Sequence, residues 1–285
     1  MRLDDMRRSD NVEDRRGMPF GGTGVRIGLG TLVLLVVGYF MGVSPATLLS
    51  LVGATDESGQ SAATSSAQAP HGRPTDAQGD FAAAVLGETE DVWTAYFAAE
   101  GQQYDPPTLV LFTDQVASAC GAASAAAGPF YCPGDRRVYI DLGFFNQLSS
   151  EFGAPGDFAR AYVIAHEVGH HVQELLGITR KSAQASARAG EAGAKRVSVA
   201  VELQADCFAG VWAMHAQRVI EPGELEQALR AAAAVGDDTL QRRTQGRVVP
   251  ETFTHGSAAQ RQRWFQAGYE GGKLENCDTF SAAAL

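Results

Sequence analysis

The sequence predicts an α+β protein, in which a small sheet is followed by a mostly helical C-terminal part. Two β-rich runs, 108–113 and 137–145, are bounded by Pro, Gly and Asp, as strands are. From residue 157 onward the apolar residues recur at helical spacing. An uncharged apolar run of 17 residues, 27–43, precedes both parts and predicts a transmembrane helix in front of the domain. Strands first and helices afterwards are typical of the α+β class.

The bulk composition fits one globular domain with appendages. The chain has 285 residues, of which 45% are hydrophobic and 20% charged. Residues 1–26 contain six Arg and five acidic residues, whereas the chain after residue 43 contains 17 Lys+Arg and 28 Asp+Glu, a net charge of −11 (17 − 28). Nucleic-acid binding requires a basic face, so no nucleic acid is expected as a partner. The oligomeric state is left open.

The charges around the apolar run predict a single-pass membrane protein. Arginines precede the run, and no Lys or Arg follows it until Arg73. By the positive-inside rule, residues 1–26 form a cytoplasmic N-terminal segment, 27–48 a transmembrane helix, and the main domain lies outside, in the periplasm or extracellular space. One alternative is a signal peptide cleaved near 52–54. Another is a buried core helix, which the charge asymmetry disfavours.

A flexible linker and a first helix follow. Residues 49–79 are predicted to link membrane and domain, because 54–79 are rich in Ser, Ala, Gln and Gly and contain almost nothing to bury. The folded domain is predicted to span 80–285. Residues 81–99 carry aromatic and apolar side chains among small residues and predict a helix. Residues 120–132, between the two strands, are predicted to be a loop around Gly128 and Pro129.

Four cysteines, Cys120, Cys132, Cys207 and Cys277, all follow the apolar run. An even count on one side of a membrane predicts disulfides in an oxidising compartment. We expect the pair Cys120–Cys132 and, by elimination, the pair Cys207–Cys277. The alternatives are buried free thiols or thiolate zinc ligands, and the absence of C-x-x-C spacing disfavours the latter.

Four helices are predicted in the C-terminal part. The first begins at Asp157, whose side chain can cap it, and runs to residue 176, with Gly177 ending it. A second covers 195–217, a third follows Pro222, and a last one begins near Ser257.

The first of these helices contains the motif His-Glu-Val-Gly-His. His166 and His170 are four residues apart, so both imidazoles project from one face and can bind one metal ion. Glu167 is then placed to take a proton from a metal-activated water. The sequence therefore predicts Zn²⁺ as cofactor. The alternative, a surface helix with coincidental histidines, leaves three of the six histidines in one and a half turns unexplained.

A catalytic zinc needs a third protein ligand. The candidates are Glu174, His171, Glu202, Asp206, His215 and His255. His171 points about 100° away from His170, and Glu174 is better explained by a salt bridge or solvation. Glu202 is preferred, because it lies in an apolar, small-residue stretch where a buried carboxylate needs a partner. Asp206, one turn later, is expected to accept a hydrogen bond from the outer N–H of a ligand histidine. Its alternative role is a salt bridge to Arg or Lys.

Several long segments resemble one protein family. HEVGHH, ELQADCFAG, THGSAAQRQRWF, SDNVEDRRG and CGAASAAAGPFYCPGDRRVYIDLGFF are similar to the neutral zinc metallopeptidase family of bacterial membrane-anchored proteins (the YpfJ type). The resemblance implies a zincin fold of the gluzincin kind, with the HExxH histidines and a later Glu, here Glu202, as ligands. It also implies that the strand around 138–141 holds an extended substrate. A more distant similarity to HtpX-like and C-a-a-X prenyl proteases implies that His255 assists at the reacting carbonyl, although Gly256 replaces their usual Pro.

Together these features predict a membrane-anchored zinc endopeptidase that acts on peptides or proteins. Glu167 is the expected general base. The oxyanion needs a donor besides zinc; His255 is the first choice and Arg261 the second. Their structural alternatives are a hydrogen bond at a helix start and a salt bridge, respectively. Two other functions stay open: a zinc-binding structural or interaction domain, against which the presence of Glu167 argues, and a hydrolase of non-peptide amides. Residues 180–193 could be a mobile cover or a connector.

Overall fold

The structure is a computed structural model that describes residues 1–18, 74–125 and 128–281. All of them belong to one compact unit. The α+β class is confirmed, because one small sheet and mainly helices make up this unit. The predicted transmembrane helix 27–48 and most of the linker 49–79 lie outside the described residues.

The main sheet has four strands in the order β1-β2-β6-β5. Their bounds are β1 Val12–Asp14, β2 Thr108–Phe112, β5 Phe130–Cys132 and β6 Arg137–Asp141. β1, β2 and β6 are parallel, and β5 runs antiparallel to β6 at one edge. The core-facing positions of β2 and β6, such as Leu109 and Val138, are fully buried. A hairpin of β3 (Gln115–Ser118) and β4 (Gly121–Ser124) stands apart from this sheet.

The strand predicted over 108–113 is confirmed, and two other expectations in this region need correction. The strand predicted over 137–145 ends at Asp141, whose carboxylate accepts hydrogen bonds from the backbone N–H groups of Gly143 and Asp114. That turn redirects the chain into a helix. The stretch 120–132, expected to be a loop, contains β4 and β5, because pairing with β3 and β6 outweighs the weak strand signal of its Ala and Gly residues.

The described residues form eight α-helices, which pack against the sheet and against one another. They are α1 Ala77–Ala99, α2 Gly143–Ser150, α3 Asp157–Leu175, α4 Ile178–Arg188, α5 Gly190–His215, α6 Leu225–Ala234, α7 Asp237–Gln245 and α8 Ala258–Gly271. The predicted ends of α3 at Gly177 and of α8 at Ser257 are confirmed: Gly177 is left-handed (φ 70°), and Ser257 forms a capping box with Gln260. Asp157 is the first helical residue rather than the cap. α5 begins five residues earlier than predicted.

The N-terminal segment belongs to the folded domain, which corrects the predicted domain boundaries. β1 pairs with β2 along Val12–Asp14, and the backbone N–H of Ser9 donates to the carbonyl of Ala83 at 2.9 Å. Two of the arginines that predicted a cytoplasmic segment are ion-paired within the domain: Arg8 contacts Asp80, and Arg16 contacts Asp76. Strands of one sheet must lie on the same side of a membrane. The predicted arrangement, with residues 1–26 on one side and the domain on the other, is therefore incompatible with this structure.

One described helix, α5, is long and apolar enough to cross a membrane by length and composition. Of its most apolar window, 72% is buried inside the protein. It packs against α3, α4 and α8, so its apolar residues form the centre of the helical core.

Glycines let the central helices touch backbone to backbone. A Cβ atom at Gly169 of α3 would lie 2.9 Å from the carbonyl oxygen of Ala205 in α5. A Cβ at Gly268 of α8 would lie 1.9 Å from the carbonyl oxygen of Cys207. The short distances between the helix backbones allow side chains on α3, α5 and α8 to contact one another.

Both predicted disulfides are confirmed. Cys120–Cys132 joins the hairpin to β5, and Cys207–Cys277 joins α5 to a short 3-10 helix, Leu274–Cys277. All four cysteines are therefore paired.

Candidate zinc site

Two helices bring three potential zinc ligands together. His166 and His170 lie on α3, and Glu202 faces them from α5. The Nε2 atom of His166 is 3.3 Å from Oε2 of Glu202, and Nε2 of His170 is 3.6 Å from Oε1. One ligand atom from each residue lies within 4.8 Å of those of the other two. The structure thus assembles the three residues that the sequence assigned to the metal.

The donor set fits a zinc ion in spacing and charge. Two ligand atoms bound to zinc at tetrahedral angles lie about 3.3 Å apart, close to the observed separations. Three carboxylates (Glu167, Glu202 and Asp206) meet one guanidinium, that of Arg261. When both imidazoles are neutral, as binding of a metal requires, the formal net charge of the cluster is −2 (1 − 3). A divalent cation would neutralise it.

Both histidines are oriented through their Nδ1 atoms. Nδ1 of His166 lies 2.9 Å from Oδ1 of Asp206, and Nδ1 of His170 lies 2.9 Å from Oε1 of Gln173. Carboxylate and amide oxygens accept, so Nδ1 carries the proton in each ring and Nε2 keeps a lone pair for a metal. The structure therefore supports the role predicted for Asp206. Gln173 was missed, although its position three residues after His170 on the same helical face was a usable signal.

Asp206 also forms a salt bridge with Arg261, which is the alternative role predicted for it. Arg261 of α8 donates to both its carboxylate oxygens, from Nε at 2.7 Å and from Nη2 at 2.9 Å, and Tyr162 donates its hydroxyl at 2.5 Å. All three side chains are buried. The guanidinium of Arg261 is thereby bound behind His166, which favours its structural alternative over oxyanion stabilisation.

The electrostatics of the cluster reflect its carboxylates. Burial alone would lower the pKa of His166, yet Asp206 and Glu202 raise it to about 10. Burial would raise the pKa of Glu202, but His170 and His166 lower it overall. Burial raises the pKa of Glu167, which brings this carboxyl towards the range suited to a general base.

The other candidate ligands lie elsewhere. Nε2 of His171 donates to the carbonyl of Asp105 at 2.6 Å, and its Nδ1 lies 3.1 Å from the hydroxyl of Tyr131, so this ring faces away from the cluster as predicted. His215 donates to the carbonyl of Gly272 at the far end of α5. Glu174 is not part of the ligand group.

His255 lines the same cavity as the cluster and is hydrogen-bonded to Asp237. One oxygen of Asp237 accepts the backbone N–H groups of residues 254–256, at 2.7, 2.7 and 3.0 Å, and the other lies 3.2 Å from Nδ1 of His255. The hydrogen bond that Nδ1 of His255 donates to Asp237 raises the pKa of His255. Asp237 was not predicted, because 18 residues and a whole helix separate it from its partner.

The cluster opens into a cleft of about 620 Å³. Phe130 and Tyr131 of β5 line it, whereas β6 lies inside the sheet between β2 and β5. The expectation that residues 138–141 form the substrate-holding edge is therefore wrong. β5, which is shorter and less buried than β6, occupies the edge beside the cleft.

A helix carrying His-Glu-x-x-His, facing a glutamate on a second helix inside an open cleft, defines a site of the zinc metallopeptidase class. Sequence comparison agrees with this class. Residues 1–280 match the model of the family described as "Putative neutral zinc metallopeptidase", and the chain belongs to this family.

Relatives of the chain extend over most of its length. It is 46% identical over 288 residues to the uncharacterized protein YpfJ of Escherichia coli K12, covering 98% of this chain and 99% of the relative. It is 51% identical over 195 residues to the uncharacterized protein Mb2605 of Mycobacterium bovis, covering 64% of this chain and 65% of the relative. No solved structure matches the chain.

Proposed function

We propose that this protein is a zinc-dependent endopeptidase with a zincin-like catalytic domain. The observation that carries the proposal is the convergence of His166, His170 and Glu202 beside the buried carboxylate of Glu167. These three residues would hold the ion through Nε2, Nε2 and a carboxylate oxygen. Zinc, when bound there, supplies a positive charge that acidifies water and polarises a carbonyl group.

Two residues of the chain carry out proton transfer and stabilise the developing negative charge. Glu167 accepts a proton as water attacks the scissile carbonyl carbon, and it delivers this proton to the nitrogen as the C–N bond breaks. Protonated His255 donates a hydrogen bond to the oxygen on which negative charge develops. Its raised pKa supports this role, because the ring keeps its proton at higher pH.

The edge strand β5 supports binding of an extended peptide. β6 satisfies one side of β5, and residues 128–131 line the cleft on the other. A substrate strand can add to such an edge through main-chain hydrogen bonds, which read few side chains.

The alternative function is a zinc-binding structural or interaction domain. A structural zinc is closed by four protein groups, whereas a catalytic zinc keeps one position open. Here three described residues make up the ligand group, and a cleft reaches it. These features favour catalysis.

Membrane attachment through the apolar run 27–43 remains part of the proposal, as does a location outside the cytoplasm. The two disulfides support an oxidising compartment. Because β1 and β2 share one sheet, the N-terminal segment and the domain are proposed to lie on the same side of the membrane.

The test compares the zinc-loaded wild type with Glu167→Gln, using unfolded protein as substrate. We expect Glu167→Gln to retain stoichiometric zinc and to lose at least a hundredfold in kcat/KM, the lower range for a general base. Glu202→Ala should lose zinc. Equal proteolysis by wild type and Glu167→Gln would remove Glu167 from the mechanism, and full zinc occupancy in Glu202→Ala would remove Glu202 from the ligand set.

A further inference from the structure

We infer that the cleft selects a bulky apolar side chain, aromatic or long and aliphatic, next to the scissile bond. This inference rests on the proposed peptidase function. It names the class of substrate residue that the site accepts, which the zinc cluster itself does not specify.

One wall of the cleft is aromatic. Phe144 of α2 and Phe152, just beyond this helix, are half-buried, and their ring centroids are 6.1 Å apart. The guanidinium of Arg243 in α7 lies 5.3 Å from the centroid of Phe152, and it also donates to the carbonyl of Glu151. Arg243 therefore connects α7 to this wall and holds Phe152 in place.

The floor beside the cluster is aliphatic. Val163 lies three and four residues before His166 and Glu167 on α3, so it shares their helical face one turn away, about 5.4 Å along the axis. It lines the cleft and is 7% exposed. An apolar side chain on a residue whose amide reaches Glu167 can therefore contact Val163.

Outside the catalytic groups, the described lining of the cleft offers no partner for a charged side chain. Apart from the groups of the zinc cluster, Arg261 and His255, its described lining residues are apolar or neutral, and the polar ones are Gln147, Gln173, Thr179, Tyr131 and Tyr162. Arg261 is already bound to Asp206. Burying an unpaired charge is costly, so Asp or Lys is disfavoured in this space, whereas small side chains leave the wall uncovered.

The experiment uses the zinc-loaded full chain and peptides that differ at one position: Phe, Leu, Ala, Asp or Lys. Wild-type cleavage is measured as kcat/KM, with the cleaved bond located by mass spectrometry. Binding to the Glu167→Gln variant is measured as Kd by fluorescence anisotropy. We expect Phe and Leu peptides to exceed the Ala peptide by about tenfold or more, with Asp and Lys peptides below Ala, in both measurements.

Three substitutions locate the preference. Phe152→Ala should reduce the advantage of Phe over Ala severalfold. Gln147→Glu, on the exposed face of α2, should improve the Lys peptide relative to the Asp peptide, and Gln147→Lys should do the reverse. Phe280→Ala removes an exposed ring outside the cleft and should leave the order unchanged.

Equal binding of the Phe, Ala and Asp peptides, or an order insensitive to Phe152 and Gln147, would overturn the inference. If the apolar order of binding holds but the wild type cleaves no peptide, the proposed peptidase function fails while the selectivity of the cleft is upheld.

Discussion

Asp206 illustrates how single residues define this site. Its two oxygens contact His166, Tyr162 and Arg261 without exposure to solvent, so it fixes one metal ligand and joins α5 to α3 and α8. Burial would raise the pKa of Asp206, but Arg261 and His166 lower it overall. The carboxylate therefore stays ionised and can hold the imidazole in the tautomer that zinc requires.

Gln173 should act on zinc affinity through His170. In Gln173→Leu the ring of His170 loses the acceptor that fixes its tautomer, so we expect a 10- to 100-fold loss of zinc affinity, measured by chelator competition. Glu174→Gln changes the neighbouring residue, which is outside the ligand group, and serves as the matched control. Unchanged affinity in Gln173→Leu would show that its hydrogen bond does not orient the ligand.

Asp237 should control the titration of His255. Asp237→Asn is expected to lower the pKa of His255, observed by NMR titration of the ring, because the hydrogen-bonded carboxylate that raises this pKa is gone. Asp238→Asn, one residue along, is the control and should have no such effect. A pKa of His255 that is identical in wild type and Asp237→Asn would contradict the assignment.

The same pair predicts a pH dependence of stability. Burial would raise the pKa of Asp237, but its hydrogen bonds lower it overall, while the pKa of His255 is raised. Their contribution is then complete between roughly pH 4 and pH 6.5. It declines as pH falls through the lowered pKa of Asp237 and as pH rises through the raised pKa of His255. Asp237→Asn should flatten the stability profile at both ends of this window.

At the scale of elements, the close contact of α5 with α8 keeps Arg261 within hydrogen-bonding distance of Asp206. Gly268 faces the carbonyl of Cys207 on α5, and Gly210 faces the carbonyl of Phe265 on α8. The first contact lies one residue beyond Asp206 on α5 and two turns beyond Arg261 on α8, and the second lies one turn beyond each of these residues. Any side chain at the contact must separate the two helices and stretch the hydrogen bonds between Arg261 and Asp206.

Gly268→Ala tests this contact. Its Cβ would lie 1.9 Å from a backbone oxygen, which cannot move without its helix, so we expect a loss of about 3 kcal/mol or more in the free energy of unfolding. Thermal unfolding should show a lowered Tm. The control Gln266→Ala, exposed on the same helix, should stay within about 0.5 kcal/mol of wild type. Similar Tm values for the two variants would mean that the helices adjust freely.

At the scale of the whole molecule, the N-terminal segment supplies β1, one edge strand of the main sheet. β1 pairs with β2, and Arg7 of this segment donates to the carbonyl of Gly87 and to Glu90 on α1. The backbone of Arg7 approaches Gly87 so closely that a Cβ there would lie 2.4 Å from its carbonyl oxygen. Such contacts are those of an integral part of the domain.

Thiol labelling of intact cells tests the arrangement across the membrane. The native cysteines are paired, so Asp4→Cys and Arg242→Cys each introduce one free, exposed thiol. We expect a membrane-impermeant maleimide to label both variants, because the N-terminal segment and the domain share one side and the proposed location is outside. If only Arg242→Cys is labelled, the chain crosses the membrane once, as the sequence predicted, and β1 does not pair with β2 in the cell.

The sequence alone determined the parts of this protein whose signals are local. The helix periodicity, the helix start near Ser257, the helix end at Gly177 and the spacing of His166 and His170 each depend on one or two turns of chain, so they could be predicted. The choice of Glu202 was also within reach, since an isolated acid in an apolar helix needs a partner.

Only the tertiary structure decided which distant groups meet. Four features join residues far apart in the chain. They are the pairing of β1 with β2, the position of β5 at the sheet edge, the hydrogen bond between His255 and Asp237, and the salt bridge between Arg261 and Asp206. Each depends on helices and strands packing at particular distances, which glycine contacts and buried ion pairs set in three dimensions. A one-dimensional pattern carries no record of those distances.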